Sequence, residues 1–335
     1  GGGRPQHDAL LVPWDPTIHR EIIFPDLRPL HRLDSLSPLT REFVIHMEAR
    51  ARMRIDVHNH FYPKVYLDAV ERLGGAVKLE EKDGRQVFTI RGVPVVHISP
   101  PQLDPELRLR DMDASGVDMQ MLSLTMPHVY LWEPEAGLAL SQAVNDAFAD
   151  IISRYPSRFT AAVPLQAPKL AIAELERAVE KLGLPAVYLI TSIDGRGIHE
   201  KELWPFYERA AELGVPVFIH PFLPPGAGEM RDYWLQTVLA RFAFSGLFEH
   251  VPNLKLVVPH IGGLIPYSMG RIDKGYRTHP PCSEFIDKPP SEYLKNIYID
   301  SVAFEVEALA YAVGRWGAER TMLGSDYPQA MGDLE

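Results

Sequence analysis

Cysteine is almost absent from the sequence, since Cys282 is the single example among 335 residues. One thiol cannot form an intrachain disulfide framework or a cysteine-based zinc ribbon, so any metal has to be held by carboxylates and by the 13 histidines. No run of about 20 uninterrupted apolar residues is present, which excludes a membrane-spanning helix. Basic residues are outnumbered: 34 Lys and Arg against 44 Asp and Glu give a formal net charge of −10, which argues against a nucleic-acid partner. These absences predict a soluble, cytoplasmic protein that binds neither nucleic acid nor membranes.

The N-terminal region shows no sustained helical or strand periodicity. Its first 39 residues contain Pro5, Pro13, Pro16, Pro25, Pro29 and Pro38. This composition is typical of a segment that drapes over a domain or stays disordered. The pair His46-Met47 resembles a fusion junction, so the residues leave open whether the part up to position 46 is native. We interpret residues 1–53 as an N-terminal extension that precedes the folded domain.

From Arg54 onward, short apolar runs alternate with segments of helical character. Helices are predicted over 104–116, where Asp104 and Pro105 form a good start, and over 169–182 and 201–213, each followed by a glycine. The eight predicted strands are Ile55–Val57, Met119–Leu124, Phe159–Val163, Ala186–Ile190, Pro216–Ile219, Leu254–Val258, Ile297–Ile299 and Thr321–Leu323. Eight short strands separated by helices predict an α/β fold, a (β/α)₈ TIM-like barrel over residues 54–335.

One insertion interrupts this alternation between the first strand and the first clear helix, over about residues 62–103. Within it, residues 78–90 form two strand-like runs around Asp83-Gly84, a dipeptide that favours a tight hairpin turn. We therefore predict a small β-hairpin insertion after the first strand, on the catalytic face of the barrel.

Histidine and aspartate recur at the predicted strand ends. His58 and His60 are two positions apart, so they share one face at the end of the first strand. His220 ends the fifth strand, His260 follows the sixth, and Asp326 follows the eighth. Barrel active sites lie where the strands end at the carboxyl-terminal rim. Three neutral imidazoles and one carboxylate make a metal site with an open position, beside which a further histidine can hold or move a proton.

These residues, together with four further segments, resemble the amidohydrolase superfamily, in the branch that contains 2-amino-3-carboxymuconate 6-semialdehyde decarboxylase. The resemblance covers residues 54–335. The four segments that carry it besides the strand ends are Pro105–Asp113, Ser153–Phe159, Gly246–Lys255 and Gly270–Asp273.

The resemblance implies a role for each strand-end residue. His58, His60, His220 and Asp326 are implied to hold one divalent metal ion, zinc in the first place with manganese as a second candidate. His260 is implied to be the general acid/base, so that it and Asp326 are the catalytic residues.

The implied activity is metal-dependent, non-oxidative decarboxylation of an unsaturated or aromatic carboxylic acid, such as a carboxymuconate semialdehyde or a hydroxybenzoate. A hydrolase or hydratase that uses the same barrel site stays open, because related sites also activate water. A non-catalytic metal-binding or interaction protein is the third interpretation. The implied partner is a small-molecule carboxylate, contacted by Arg271 across the boundary of a homodimer.

The sequence departs from the family at candidate substrate contacts. Thr89 stands after Val87-Phe88 where the family has arginine, and Arg91, two positions on, is predicted to replace it from the same strand face. Lys82 matches a substrate-side lysine, and Phe222 stands where the family has tryptophan. These changes put the exact substrate in doubt while leaving the metal site intact.

Another histidine, His128, lies at the end of the second predicted strand. It either lines the pocket or is a plain loop residue, and the sequence does not choose between the two.

Overall fold

The computed structural model describes residues 53–165, 170–193, 195–222, 231–295 and 297–334. The chain divides into two compact units, Gly1–Arg52 and Met53–Glu335, and only the second is described below. The interpretation of residues 1–53 as an extension therefore lies outside the described residues, apart from Met53.

Eight parallel strands form the main sheet, and they follow each other in the sheet in the order of the chain. They are β1 (Ile55–His60), β5 (Met119–Ser123), β6 (Phe159–Pro164), β7 (Ala186–Ile190), β10 (Val217–His220), β11 (Leu256–Val258), β12 (Tyr298–Asp300) and β13 (Thr321–Met322). All eight predicted strands are present, each displaced from its predicted bounds by at most a few residues. Sequential parallel pairing with helical crossovers confirms the predicted barrel.

The sheet closes on itself between its first and last strands. Asn59 and Tyr327 form a parallel bridge. The amide of Val57 donates to the carbonyl of Leu323 at 2.9 Å, and the amide of His60 donates to the carbonyl of Tyr327 at 2.8 Å. We call this junction the seam. Because all strands run in one direction, their carboxyl ends meet at one rim of the barrel.

Helices cover the outside of the barrel. They are α1 (Lys64–Leu73), α2 (Pro105–Ser115), α3 (Pro134–Arg154), α4 (Ala171–Glu176), α5 (Trp204–Glu212), α6 (Arg231–Phe244), α7 (Leu247–His250), α8 (Ile265–Thr278), α9 (Pro290–Leu294) and α10 (Val306–Trp316). The helix predicted over 169–182 is α4 followed by a wider π-helical stretch, Arg177–Lys181. No helix in the described ranges is both long enough and apolar enough to cross a membrane.

Two apolar clusters stabilise the domain. The larger one lies between the strands and the surrounding helices. The smaller one consists only of strand side chains, and we place it in the barrel interior below the rim. Its members are Met121, Ala162, Ala186, Tyr188, Phe218 and Val257. The barrel is therefore filled, and the space for chemistry is at its rim.

The insertion is a three-stranded antiparallel sheet of β2 (Val77–Lys82), β3 (Arg85–Ile90) and β4 (Val93–His97). The predicted hairpin is present, with Asp83 and Gly84 both at positive φ in its turn. The third strand was not predicted. It contains Pro94, which cannot donate to a sheet ladder and is tolerated here because β4 lies at an edge. Two further short strands, β8 (Ser192–Ile193) and β9 (Arg196–Gly197), pair after β7.

Candidate metal centre

The strand ends bring three histidines and one aspartate together at the rim. One ligand atom from each of His58, His60, His220 and Asp326 lies within 4.8 Å of the others, and all four residues are buried. The imidazole centroids of His60 and His220 are 4.9 Å apart, and those of His58 and His60 are 5.1 Å apart. The predicted spatial convergence of these four side chains is thus a feature of the structure.

Local backbone geometry explains how two of these residues face the centre. Between Asp56 and Asn59, β1 contains one residue more than its partner β5, which is a β-bulge of the kind that re-aims side chains near active sites. Asp326 lies just beyond β13 with φ 55°, and its amide donates to the carbonyl of His58 at 2.8 Å. The bulge and this turn together place the side chains of β1 and of the segment after β13 beside each other.

Two of the imidazoles are oriented by oxygen acceptors on their Nδ1 atoms. Nδ1 of His58 lies 2.5 Å from Oδ2 of Asp300, and Nδ1 of His220 lies 3.1 Å from the carbonyl of Pro221. A carbonyl can only accept, so Nδ1 of His220 carries the proton and its Nε2 has the lone pair. The carboxylate of Asp300 has the same effect on His58. Such partners are typical of metal-binding histidines.

His60 provides a test of whether the cluster fits a cation. The Ser123 hydroxyl donates to the carbonyl of Asn59 at 2.7 Å, so the Ser123 oxygen accepts from Nδ1 of His60 at 3.1 Å. The other nitrogen of His60, Nε2, is then a lone-pair atom, and it lies 3.0 Å from Oδ1 of Asp326. Two acceptor atoms this close repel each other unless a positive charge lies beside both. The donor set of three nitrogens and one carboxylate oxygen therefore fits a divalent cation.

The electrostatics of the cluster also favour a cation. Burial lowers the pKa of His58, but the carboxylates of Asp326 and Asp300 outweigh it and raise this pKa to about 9, so that without an ion a proton takes up the lone pair on its Nε2. Burial acts to raise the pKa of Asp326, yet the adjacent His58 holds it well below its usual range. Burial lowers the pKa of His60 to about 4. The centre thus keeps its carboxylate ionised and stabilises positive charge.

His260 lies beside the cluster and is not one of the four converging residues. Its ring centroid is 5.3 Å from that of His58 and 6.0 Å from that of His220, and its Nδ1 is 3.8 Å from Oδ1 of Asp232. The adjacent amide of Ile261 donates to Oδ1 of Asp300 at 3.3 Å. Asp300 therefore connects the His260 turn to the ring of His58.

A buried network below the rim was missed by the sequence analysis. Arg108 of α2 is fully buried; its guanidinium donates to Oδ1 of Asn59 at 2.9 Å and to Oε1 of Gln120 at 2.8 Å, and also to the carbonyl of His60. The Gln120 amide donates to Oδ2 of Asp56 at 2.9 Å. Burial lowers the pKa of Arg108 to about 10, so the group stays charged at neutral pH. Through Asp56, Asn59 and the carbonyl of His60, the network holds the strand β1 that carries the two histidines.

The two substrate contacts predicted from the insertion, Lys82 and Arg91, lie in different environments from each other. Lys82 is half-buried, with its Nζ 3.8 Å from Oε2 of Glu80. Arg91 is exposed in the turn after β3 with φ 51°, so it does not continue the strand face of Thr89 as predicted. The two-residue turn ends the strand at Ile90 and breaks the alternation on which that prediction depended. Thr89 itself is completely buried.

The other two predicted contacts lie near the rim and on the outer surface. Phe222 is half-buried just after β10, and its amide donates to Oγ1 of Thr191 at 2.9 Å. Arg271 is exposed on α8 of the single chain.

Comparisons with known proteins agree with this geometry. A profile of the amidohydrolase family matches residues 55–333. The chain is 33% identical over 300 residues to the 2-amino-3-carboxymuconate-6-semialdehyde decarboxylase of Dictyostelium discoideum, covering 84% of this chain and 83% of that protein.

Two solved structures are also similar. The 5-carboxyvanillate decarboxylase of Sphingomonas paucimobilis superposes with a TM-score of 0.71 at 26% identity, covering 84% of this chain and 90% of that one. The dihydroxybenzoic acid decarboxylase of Polaromonas sp. JS666, with bound manganese and the inhibitor 2-nitroresorcinol, gives 0.68 at 26% identity, with coverages of 84% and 87%.

Proposed function

We propose that this chain, which belongs to the amidohydrolase family, is a metal-dependent, non-oxidative decarboxylase of an unsaturated or aromatic carboxylic acid. The observation that carries the proposal is the buried cluster of His58, His60, His220 and Asp326 with His260 beside it. The decarboxylases to which the chain is similar act on acids of this class, and their names support the same chemistry.

The metal we propose is one divalent ion, zinc, held by the four converging residues. Three imidazole nitrogens and one carboxylate oxygen are a common zinc donor set, and the manganese in the Polaromonas structure makes manganese the second candidate. When bound, the ion supplies positive charge that stabilises negative charge on the substrate during the reaction. Asp300 and Ser123 keep the Nε2 lone pairs of His58 and His60 directed at that position.

His260 is the residue we assign to proton transfer. Decarboxylation breaks the bond between a carbon atom and its carboxylate, releases carbon dioxide and leaves an electron pair that must take up a proton. Nδ1 of His260 faces Asp232, so Nε2 is the nitrogen left to deliver that proton. An imidazole is suited to this task because its ordinary pKa lies close to neutral pH.

The substrate we propose is a small, planar carboxylate whose carboxyl group is bound by Arg271, with Lys82 and Phe222 as further contacts. Arginine pairs with a carboxylate through two parallel N–H donors, which lysine cannot reproduce. Arg91 lies in the turn after β3 and does not share the strand face of Thr89, so it is not among these contacts. We place this activity in the cytoplasm, a proposal supported by the near-absence of cysteine.

Release of carbon dioxide tests the proposed function directly. Zinc- or manganese-loaded enzyme is given a panel of hydroxybenzoates and carboxylated muconate semialdehydes, and carbon dioxide is measured together with substrate absorbance. We expect stoichiometric release with at least one acid. Because Thr89 replaces an arginine of the family, we expect weaker activity on 2-amino-3-carboxymuconate 6-semialdehyde than on an acid whose charged groups are arranged differently. If substrate is consumed without release of carbon dioxide and the product has gained a molecule of water, the hydratase or hydrolase alternative is established instead.

A homodimer is the assembly we propose, because Arg271 is exposed on α8, on the outside of its own barrel. Tyr267, one helical turn earlier on α8, is 84% exposed, and neighbouring Leu264 is 45% exposed. Residues four apart lie on one helix face, so Arg271 shares its face with an apolar side chain open to solvent. A second copy of the chain covering this face would bring Arg271 to the other subunit's site.

Mixing two impaired variants tests whether Arg271 acts across a subunit boundary. Arg271→Ala loses a charged hydrogen bond, so kcat/KM should fall about 10- to 100-fold. In a mixed dimer of Arg271→Ala with His260→Gln, one of the two sites has both residues intact. Equal amounts, randomly reassorted, should therefore recover about a quarter of wild-type activity. Each variant alone is the control, and a fully active monomer by light scattering would contradict the dimer.

A further inference from the structure

His128 is a buried histidine near the metal centre that the chemistry above does not use. It is completely buried in the loop after β5, and neither of its ring nitrogens makes a hydrogen bond to any residue in the described ranges. Its ring stacks on two tyrosines. The centroid of Tyr130 is 4.8 Å away and parallel within 1°, and that of Tyr188 is 5.6 Å away at 18°. We call these three residues the aromatic wall.

The aromatic wall adjoins the metal centre. The ring of Tyr188 is 5.6 Å from that of His220 at 27° and 6.4 Å from that of His60. His128 is therefore one aromatic layer away from two of the four converging residues. Tyr188 also lines the cavity beside His58 and His220, so the aromatic wall borders the space at the metal centre.

The backbone holds His128 in an uncommon conformation. Its φ is 63°, in the left-handed region that only a few per cent of residues other than glycine adopt, histidine being one of the types found there more often. Two hydrogen bonds keep it there: the Tyr66 hydroxyl donates to the carbonyl of His128 at 2.6 Å, and the amide of His128 donates to the carbonyl of Thr125 at 3.0 Å. Backbone strain of this kind is concentrated at active sites and ligand-binding positions.

An uncommon backbone conformation and two ring nitrogens unpaired among the described residues thus coincide at one residue. Buried polar atoms nearly always have a hydrogen-bond partner, and an exception in a native structure needs an explanation. The histidines of the metal centre contrast with His128, because Nδ1 of His58, His60 and His220 each lies beside an oxygen of the protein. A ligand that supplies the missing partner explains both the bare nitrogens and the strained backbone that positions them.

We propose that His128 is a substrate-recognition residue that hydrogen-bonds a hydroxyl group of the bound acid. This inference rests on the proposed function and adds a specificity determinant to it. Burial lowers the pKa of His128 to about 3, so the ring is neutral, with one N–H donor and one lone pair. A hydroxyl group both donates and accepts, so it can pair with either nitrogen. A second carboxylate would favour the charged imidazole, which this apolar setting disfavours.

Binding of acids that differ by one hydroxyl group tests the inference. Isothermal titration calorimetry compares benzoate with its three monohydroxy isomers on zinc-loaded protein. The wild type should bind at least one isomer about tenfold more tightly than benzoate, the effect of one buried hydrogen bond. His128→Phe keeps an aromatic ring of similar shape without nitrogens, so it should abolish that preference and leave the Kd of benzoate unchanged. His128→Gln, which keeps a donor and an acceptor, should retain part of the preference.

The matched control is His250→Gln. His250 pairs with Glu208 at the surface and precedes β11, so it lies at the end of the barrel opposite the metal centre. The hydroxyl preference should therefore persist in His250→Gln. Metal content and Tm are measured for every variant, and we expect His128→Phe to retain both. A folded, metal-loaded His128→Phe protein with an unchanged preference overturns the inference. Failure of the proposed function has a different signature: no carbon dioxide from the wild type, whatever its binding preference.

Discussion

The variants His58→Ala and Asp326→Ala should lose their divalent metal and, with it, decarboxylase turnover. Each substitution removes one of four converging ligand atoms from a buried centre. Residues that only orient metal ligands are worth about 10- to 100-fold in metal affinity, so loss of a ligand should exceed about 100-fold. Elemental analysis after dialysis measures the metal retained per chain.

Two further variants make this measurement specific. Asp300→Asn leaves all four ligands but weakens the partner of His58, so we expect the intermediate loss of about 10- to 100-fold in affinity. Asp68→Ala, at an exposed pair with Lys64, should retain the wild-type metal content. The assignment fails if His58→Ala and Asp326→Ala both keep a full complement of metal.

His260→Gln should keep the metal and lose most of its turnover. The ring of His260 lies beside that of His58 but contributes no atom to the ligand cluster, so metal content should not change. General acid/base groups typically contribute about 10²- to 10⁴-fold to the rate, and we expect kcat to fall by this amount. Steady-state kinetics and elemental analysis on the same preparation separate the two effects.

The surface variant His250→Gln is again the control for loss of an imidazole, and its kcat should equal that of the wild type. A near-normal kcat in His260→Gln would reduce His260 to a structural residue. Loss of metal in the same variant would instead place it among the ligands.

The parts of the fold that depend on local pattern could be predicted from the sequence. The eight strands are short apolar runs, and His58 and His60 share a face because strand side chains alternate. Both kinds of signal involve residues close together in the chain. The convergence of four strand-end residues followed from the barrel, because parallel strands end at one rim.

The parts that depend on distant contacts could not be predicted in this way. Arg108 lies on a helix, where a charged residue is usually solvated, and its burial depends on acceptors in β1 and β5 that are remote in sequence. The predicted position of Arg91 was wrong for a local reason. Gly92 allows a tight turn directly after β3, and this turn was not recognised as the end of the strand.

The seam of the barrel and the metal centre are made by the same two segments. Strand β1 carries His58 and His60, the segment after β13 carries Asp326, and the amide of Asp326 donates to the carbonyl of His58. An ion held by these ligands binds only the closed barrel, so occupancy and closure are thermodynamically linked. Holding the ion at about a hundred times its Kd adds about 2.7 kcal/mol to the free energy of unfolding. Metal availability thereby raises the free energy needed to separate the first and last strands, so the proposed cofactor would also stabilise the fold.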